Sequence, residues 1–166
     1  AYVLYREQRA ASRYHTKKLK EQVGAKASSM MVTKRDGSKE PISLDKITNR
    51  VSVLSTGLSI DPIVVVQKAV PGLYNEITSA EIDIYLAETA ASLTVEHPDY
   101  SYLAARIKAN SLHTDTPGFI IATKNLFDDG LLREDYYNKV MANSEEIEPI
   151  IDYDKDYNFD YYPFTT

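Results

Sequence analysis

Lys34, Arg35 and Lys46 are three cations within thirteen positions, and Glu40 stands between them. Cations grouped this way grip phosphate oxygens, and a carboxylate among them orders the cations or accepts from a base or a sugar. Their setting is the stretch Val32-Thr33-Lys34-Arg35-Asp36-Gly37-Ser38-Lys39-Glu40-Pro41-Ile42-Ser43-Leu44-Asp45-Lys46-Ile47. Asp36-Gly37 between two short extendable runs predicts a tight hairpin with positive-φ turn residues. Ser43 offers an oxygen to the first free amides of a helix, and Asp45 suits that helix's first turn. A hairpin running into a helix is therefore expected to gather Lys34, Arg35 and Lys46 around Glu40. The same residues would sit in solvent if this were only a basic surface hairpin.

The elements that must position this group follow in order. A helix is expected from Leu44 to about Ser55, with Ile47, Val51 and Leu54 on one face and Gly57 closing it. Asp61-Pro62 starts a second helix, with Asp as cap and Pro at the first helical position, lined inside by Ile63, Val66 and Ala69. Pro71-Gly72 ends it. Thr78-Ser79-Ala80-Glu81 is a capping box flanked by Ile77 and Ile82, and it opens a third helix running to about Val95. That helix buries Ile82, Leu86, Ala90 and Leu93. Asp99 is expected to cap a fourth helix through Leu103, Ile107 and Leu112. Thr116-Pro117-Gly118 interrupts the pattern. Two short helices are then predicted, over Phe119–Phe127 and Leu131–Met141. Short joints between helices favour antiparallel neighbours.

The 166 residues suffice for one buried core. There are no cysteines, which excludes disulfides, thiolate zinc sites, iron–sulfur ligation and thiyl-radical chemistry within the chain. No run approaches the roughly 18 apolar residues of a membrane span. The net charge of −5 hides an uneven distribution. Arg6, Arg9, Arg13, Lys17, Lys18, Lys20 and Lys26 give residues 1–29 a basic character, whereas acids dominate from Asp128 to Asp160. Residues 2–24 read as a basic helix, comparable with an organelle-targeting segment or a solvated extension. There is no Gly-rich P-loop. His15, His97 and His113 lack metal-ligand spacing, and the tail carboxylates have no glycine-centred calcium loop and read as solvated acids.

Three islands in register resemble a known family. The first is Val32-Thr33-Lys34-Arg35-Asp36-Gly37 with Glu40 and Leu44-Asp45-Lys46-Ile47. The second is Ala87-Glu88-Thr89-Ala90-Ala91, then His97-Pro98-Asp99-Tyr100 and Leu103-Ala104-Ala105-Arg106-Ile107. The third is Ile151-Asp152-Tyr153-Asp154-Lys155-Asp156 with Phe159 and Tyr161. Together they resemble the N-terminal ATP-cone region of the class I ribonucleotide reductase large subunit, over about residues 31–166. The resemblance implies a mainly α (α+β) fold, a four-helix bundle capped by a small β-hairpin or sheet and followed by short helices. It implies three parts: a basic extension over 1–29, an ATP-cone-like domain over 30–115, and a helical connector reaching the start of the reductase barrel over 116–166.

By the same resemblance, ATP or dATP is the expected effector, with Mg²⁺ as a candidate companion. Lys34, Arg35 and Lys46 resemble the family's phosphate and nucleotide contacts. Glu40 and Ser43 fall where the family contacts the base or orders the pocket, and Ile47 where an apolar wall meets the base. Asp83 falls at a position tied to distinguishing the two sugars, and Ser79 is a further candidate contact. One departure is expected to weaken phosphate binding: Leu112-His113-Thr114-Asp115 has threonine and an acid where the family often has a lysine. The implied function is allosteric control of deoxyribonucleotide synthesis without catalysis, in a piece of a longer chain or a split subunit. Expected partners are the rest of the large subunit, other large subunits and the small radical subunit, in the cytoplasm and without nucleic acid. The alternative is a non-catalytic structural subunit that keeps the fold and docks into a larger assembly, with mitochondria as the alternative location; Ala1 in place of Met, the basic head and Thr114 fit that alternative. Cone-bearing transcriptional repressors need a cysteine zinc ribbon, which this chain lacks.

Overall fold

A computed structural model of the chain describes residues 30–164, together with Tyr14 and Lys17. The expected basic extension over 1–29 otherwise lies outside the described residues. Over residues 30–164, three short strands and seven α-helices follow one another, the strands pairing into one small sheet.

Strands β1 (Met31–Thr33) and β2 (Lys39–Pro41) form the hairpin, pairing antiparallel with Val32 opposite Glu40. The turn differs from a two-residue type with two positive-φ positions. Gly37 alone is left-handed, at φ 80°. The Lys34 N–H donates to the Ser38 carbonyl at 2.8 Å, and the Gly37 N–H donates to the Lys34 carbonyl at 2.9 Å. Arg35, Asp36 and Gly37 thus form a three-residue loop in which a type I turn ends on a left-handed glycine. Asp36 stabilises it by accepting from the Ser38 amide at 2.8 Å and the Ser38 hydroxyl at 2.6 Å. A third strand, β3 (Ile77–Thr78), joins β1 in parallel, so the sheet order is β2-β1-β3 with the hairpin's first strand in the middle.

Local signals set most helix starts. Helix α1 (Leu44–Leu54) begins at Ser43, whose hydroxyl accepts from the Lys46 amide at 3.3 Å. Helix α2 (Pro62–Ala69) begins at Asp61, whose carboxylate accepts from the Ile63 amide at 3.0 Å. Helix α3 (Ser79–Ser92) carries the full capping box, with Thr78 and Glu81 serving each other's backbone amides at 3.1 and 2.8 Å. Helix α4 (Asp99–Asp115) departs from expectation: Pro98 occupies the cap position in helical conformation and makes no side-chain cap bond. The Asp99 carboxylate instead accepts from the Ser59 amide at 2.7 Å, tying the α1–α2 loop to the start of α4. Leu112 faces out rather than in, 51% exposed, because at the last turns of α4 the packed faces belong to Ser111 and Asp115 on one side and His113 on the other.

The core lies between the sheet and helices α1–α4. Val51, Val65, Val66, Leu86, Leu93 and Leu103 are fully enclosed, and Val32 and Ile77 from the strands and Ile42 from the link between β2 and α1 join them. Helices α3 and α4 form the most extensive packed pair, their approach eased by Ala87, Ala90, Ala104 and Ala105, all without accessible surface. Helices α5 (Phe119–Asp128), α6 (Glu134–Ala142) and α7 (Ser144–Ile147) form a peripheral layer. Beyond them the acidic, tyrosine-rich segment turns back onto α4 in a 3₁₀ stretch, Tyr153–Asn158. Its acids are thus not all solvated: the Asp156 carboxylate lies 2.8 Å from His113 Nε2, and the Tyr153 and Tyr157 rings meet the imidazole edge-on at 5.7 Å. Arg106 anchors the segment further, donating to the Tyr157 carbonyl at 3.3 Å and to the Leu54 and Thr56 carbonyls at 2.9 and 2.8 Å.

These roles predict a ranking of stability losses in urea denaturation. Leu103→Ala, which opens a cavity between α3 and α4, is expected to cost about 2–5 kcal/mol. Thr78→Ala, which removes half of the capping box, is expected to cost about 1 kcal/mol.

Candidate functional site

Where the hairpin meets α1 and the start of α3, the surface opens into a cleft of about 170 Å³. Val32, Ile42, Ile47 and Ile82 supply its apolar lining, and Glu40, Ser43, Lys46, Arg50 and Ser79 supply its polar groups. The apolar members come from the inward-facing sides of β1, α1 and α3 and from Ile42 in the link before α1, so the same residues that close the core also line the cleft. Ser43 is turned partly toward its own helix, capping α1. Ser79 donates from its hydroxyl to the Thr33 carbonyl at 3.5 Å, which joins the start of α3 to β1.

The cations divide into two groups instead of gathering around Glu40. In the first, Glu40 holds both lysines: Lys34 Nζ lies 2.9 Å from one carboxylate oxygen, and Lys46 Nζ lies 3.1 and 3.2 Å from the two. Hydrogen bonds from the two lysines hold the Glu40 carboxyl below the usual carboxylate range, with Lys34 as the larger cause. The Lys34 ammonium is raised by the same pairing.

In the second group, Arg35 points away from the lysines, because it occupies the loop position after Lys34 and projects toward α3 and α4. Its Nη2 lies 3.2 Å from the Asp83 carboxylate and 3.0 Å from the Ser111 hydroxyl, and it forks onto Asp115 through Nε and Nη2. Arg50 binds the other oxygen of Asp83. Asp83 is therefore neither exposed nor unpaired; its side chain is 3% exposed and gripped by arginines from the hairpin and from α1. Asp115 closes the cluster at the surface. A hydrogen bond from Arg35 lowers its carboxyl, and that pairing chiefly raises the Arg35 guanidinium.

Sequence reading omitted Arg50, Ser111, Val32, Ile42 and Ile82 from this site. Arg50 was detectable: it follows Lys46 by four residues and so shares a helix face with it. Ser111 and Asp115 lie 76 and 80 residues from Arg35, and no local pattern joins them. Thr114, in place of a family lysine, donates to the Asn110 carbonyl one turn back at 2.8 Å.

A family model described as "ATP cone domain" matches residues 30–115 of this chain. The chain belongs to the ATP-cone domain family. It is also similar to ribonucleoside-diphosphate reductase large chains and subunits. One from Neurospora crassa is 39% identical over 150 residues, covering 82% of this chain and 16% of that protein. The Arabidopsis thaliana large subunit is 39% identical over 150 residues, covering 82% and 18%. The Caenorhabditis elegans large subunit is 38% identical over 152 residues, covering 84% and 19%. The chain thus spans less than one fifth of the length of each of these three relatives.

Two predictions test this electrostatic arrangement. The Glu40 carboxyl, followed by NMR, is expected to titrate below the roughly 4.3 of a free glutamate, and Lys34→Ala is expected to move its midpoint upward. Because the folded-state values of Glu40 and Asp115 are depressed, their contribution to stability is present above the unfolded carboxylate range. It is lost as pH falls through the folded values, so acid should weaken the fold first below about pH 4. The Asp83 cluster should also respond asymmetrically. Arg35→Ala with Arg50→Ala leaves a buried carboxylate alone, at about 3–5 kcal/mol, whereas Asp83→Ala leaves two arginines that water reaches, at about 1–3 kcal/mol. Paired urea curves showing the reverse order would contradict the cluster as described.

Proposed function

We propose that the cleft between the hairpin, α1 and α3 binds ATP or dATP and that the chain is the allosteric region of a ribonucleotide reductase large subunit. The observation that carries this reading is one cleft with two chemistries. An apolar wall of Val32, Ile42, Ile47 and Ile82 suits a base, and Lys46 and Arg50 stand at its polar side, with Lys34 joined to it through Glu40. Ile47 packs against the base, Glu40 and Ser43 accept from or orient it, Lys34 and Lys46 meet phosphate oxygens, and Arg35, outside the cleft lining on the α3–α4 side, meets the far end of the phosphate chain. Ser79, in the cleft lining, lies toward the sugar, and Asp83, buried behind the lining, bears on it through Arg50, which it holds. Asp83 thereby fixes the position of Arg50 at the cleft, and a ribose and a deoxyribose differ in what they offer that side.

Among the described residues no three His, Cys, Asp or Glu side chains are grouped to hold a metal ion. A Mg²⁺ ion would therefore travel with the nucleotide, coordinated by phosphate oxygens and water. Regulation follows from differential affinity: a nucleotide that prefers one packing of the cone shifts the assembly equilibrium by that preference alone. On this reading residues 30–115 are the sensing unit and 116–166 the connector toward the rest of the large subunit. The partners are that remainder, other large subunits and the small radical subunit. Among the described residues no helix is long and apolar enough to cross a membrane.

A second reading rests on one specific observation: Lys34, Lys46, Arg35 and Arg50 all have carboxylate partners already. A cone whose cations are internally neutralised would serve as a retained scaffold that docks into a larger assembly. Calorimetric titration separates the two. The sensor reading expects saturable heat with ATP and dATP that Lys34→Ala with Lys46→Ala reduces at least about tenfold in affinity, the loss of two charge-assisted contacts. No heat from either nucleotide in the folded chain would leave the scaffold.

A further inference from the structure

Arg35 is the only cation of the site held by two carboxylates and a hydroxyl at once among the described residues, and its three partners are not equivalent. Asp83 is buried and also bound by Arg50, so it cannot leave without stranding a charge. Asp115 is 44% exposed and is the last residue of α4, and its other hydrogen bond is a long one from the Ser111 hydroxyl at 3.4 Å. Immediately after it, Thr116 is extended and the chain leaves the helix. The Asp115 carboxylate thus makes a two-pronged contact with a guanidinium, the geometry by which arginine also recognises a phosphate. It sits on the solvent side of the cluster, where an arriving anion would approach.

We propose that Asp115 is an internal competitor for the anionic end of the nucleotide: its carboxylate occupies Arg35, and a phosphate group binds there by displacing it. This rests on the nucleotide reading above and assigns to Asp115 the setting of affinity. The consequence is selection by charge. A phosphate terminus carrying more than one negative charge outcompetes a single carboxylate for the fork, whereas a weakly charged ligand leaves Asp115 in place. On displacement the released carboxylate turns to water, the phosphate replaces it on the fork, and Asp83 continues to hold Arg35. The acid at position 115 therefore lowers affinity through a specific contact rather than by its charge alone. Asn at this position keeps the size and the hydrogen bond with Ser111 while giving up the charged grip on Arg35.

The test is calorimetric titration of the full chain with ATP and, separately, with inorganic tripolyphosphate, in four forms: unchanged, Asp115→Asn, Arg35→Ala and the double variant. Asp115→Ser is a second replacement should Asn perturb α4, and circular dichroism melting checks that each form is folded. The expected result is a gain of roughly three- to tenfold in affinity for both ligands with Asp115→Asn, absent when Arg35 is Ala, as one contested contact requires. An unchanged or weakened affinity overturns the competition. So does an equal gain in the Arg35→Ala background, which would reflect long-range charge. Tripolyphosphate binding that depends on Asp115 and Arg35 without any ATP binding would leave the competition standing and remove the nucleotide reading. Absence of binding by either ligand in all forms overturns both.

Discussion

A buried carboxylate has to be neutralised where it stands, and Asp83 makes that requirement the organising constraint of this molecule. It lies in α3, 3% exposed, with one oxygen toward Arg50 of α1 and the other toward Arg35 of the hairpin loop. A charge taken from water is tolerable only with such partners in good geometry. The loop, α1 and α3 are therefore not free to drift apart, and the cleft that opens between them has fixed walls. Arg35 in turn reaches Ser111 and Asp115, so the end of α4 is tied to the same point. One ionic cluster thus joins four elements that the apolar core alone would hold less specifically.

The core and the cleft share their construction. Val32, Ile42, Ile47 and Ile82 close the hydrophobic interior on one side and line the cleft on the other. The sheet is too small to be stable by itself; β1 has its two neighbours only because Ile77 and Thr78 return after α2 to pair with it. Helix α4 has a comparable double use. Ser111 and Asp115 share one face and meet the hairpin arginine, while His113, on the opposite face, meets Asp156, Tyr153 and Tyr157 of the returning segment. The last turns of α4 are accordingly where the sheet-side cluster and the C-terminal segment approach the same helix.

Much of this was legible along the chain because the relevant physics is local. Ser43, Asp61 and the Thr78–Glu81 pair specify helix starts through bonds spanning two or three residues, and each forms. The Lys34–Glu40–Lys46 triad was legible for the same reason, since the hairpin folds Lys34 back beside Glu40 and α1 begins soon after with Lys46 in its first turn. Asp99 shows the limit: its type and position suit a cap, yet Pro98 already continues the helix and the carboxylate serves Ser59 across 40 residues. The turn shows another, because Asp36-Gly37 is compatible with two loop types and only the strand pairing selects one.

What the sequence determined by itself is the hairpin and its cations, helices α1–α6 in their order, and most of the inward positions of α1–α4, all consequences of periodicity, capping and turn chemistry; the pairing of β3, the short α7 and the outward turn of Leu112 came only with the fold. What only the tertiary structure decided is which charges meet. Arg35 parts from Lys34 and Lys46 because α3 and α4 present Asp83 and Asp115 on its side. Asp83 changes from an ordinary helical acid into a buried anchor, and Asp115 from a nearby negative charge into a direct ligand of a guanidinium. Ionic partners are chosen by proximity in space and by burial, and neither is written in the spacing of residues 48 and 80 positions apart.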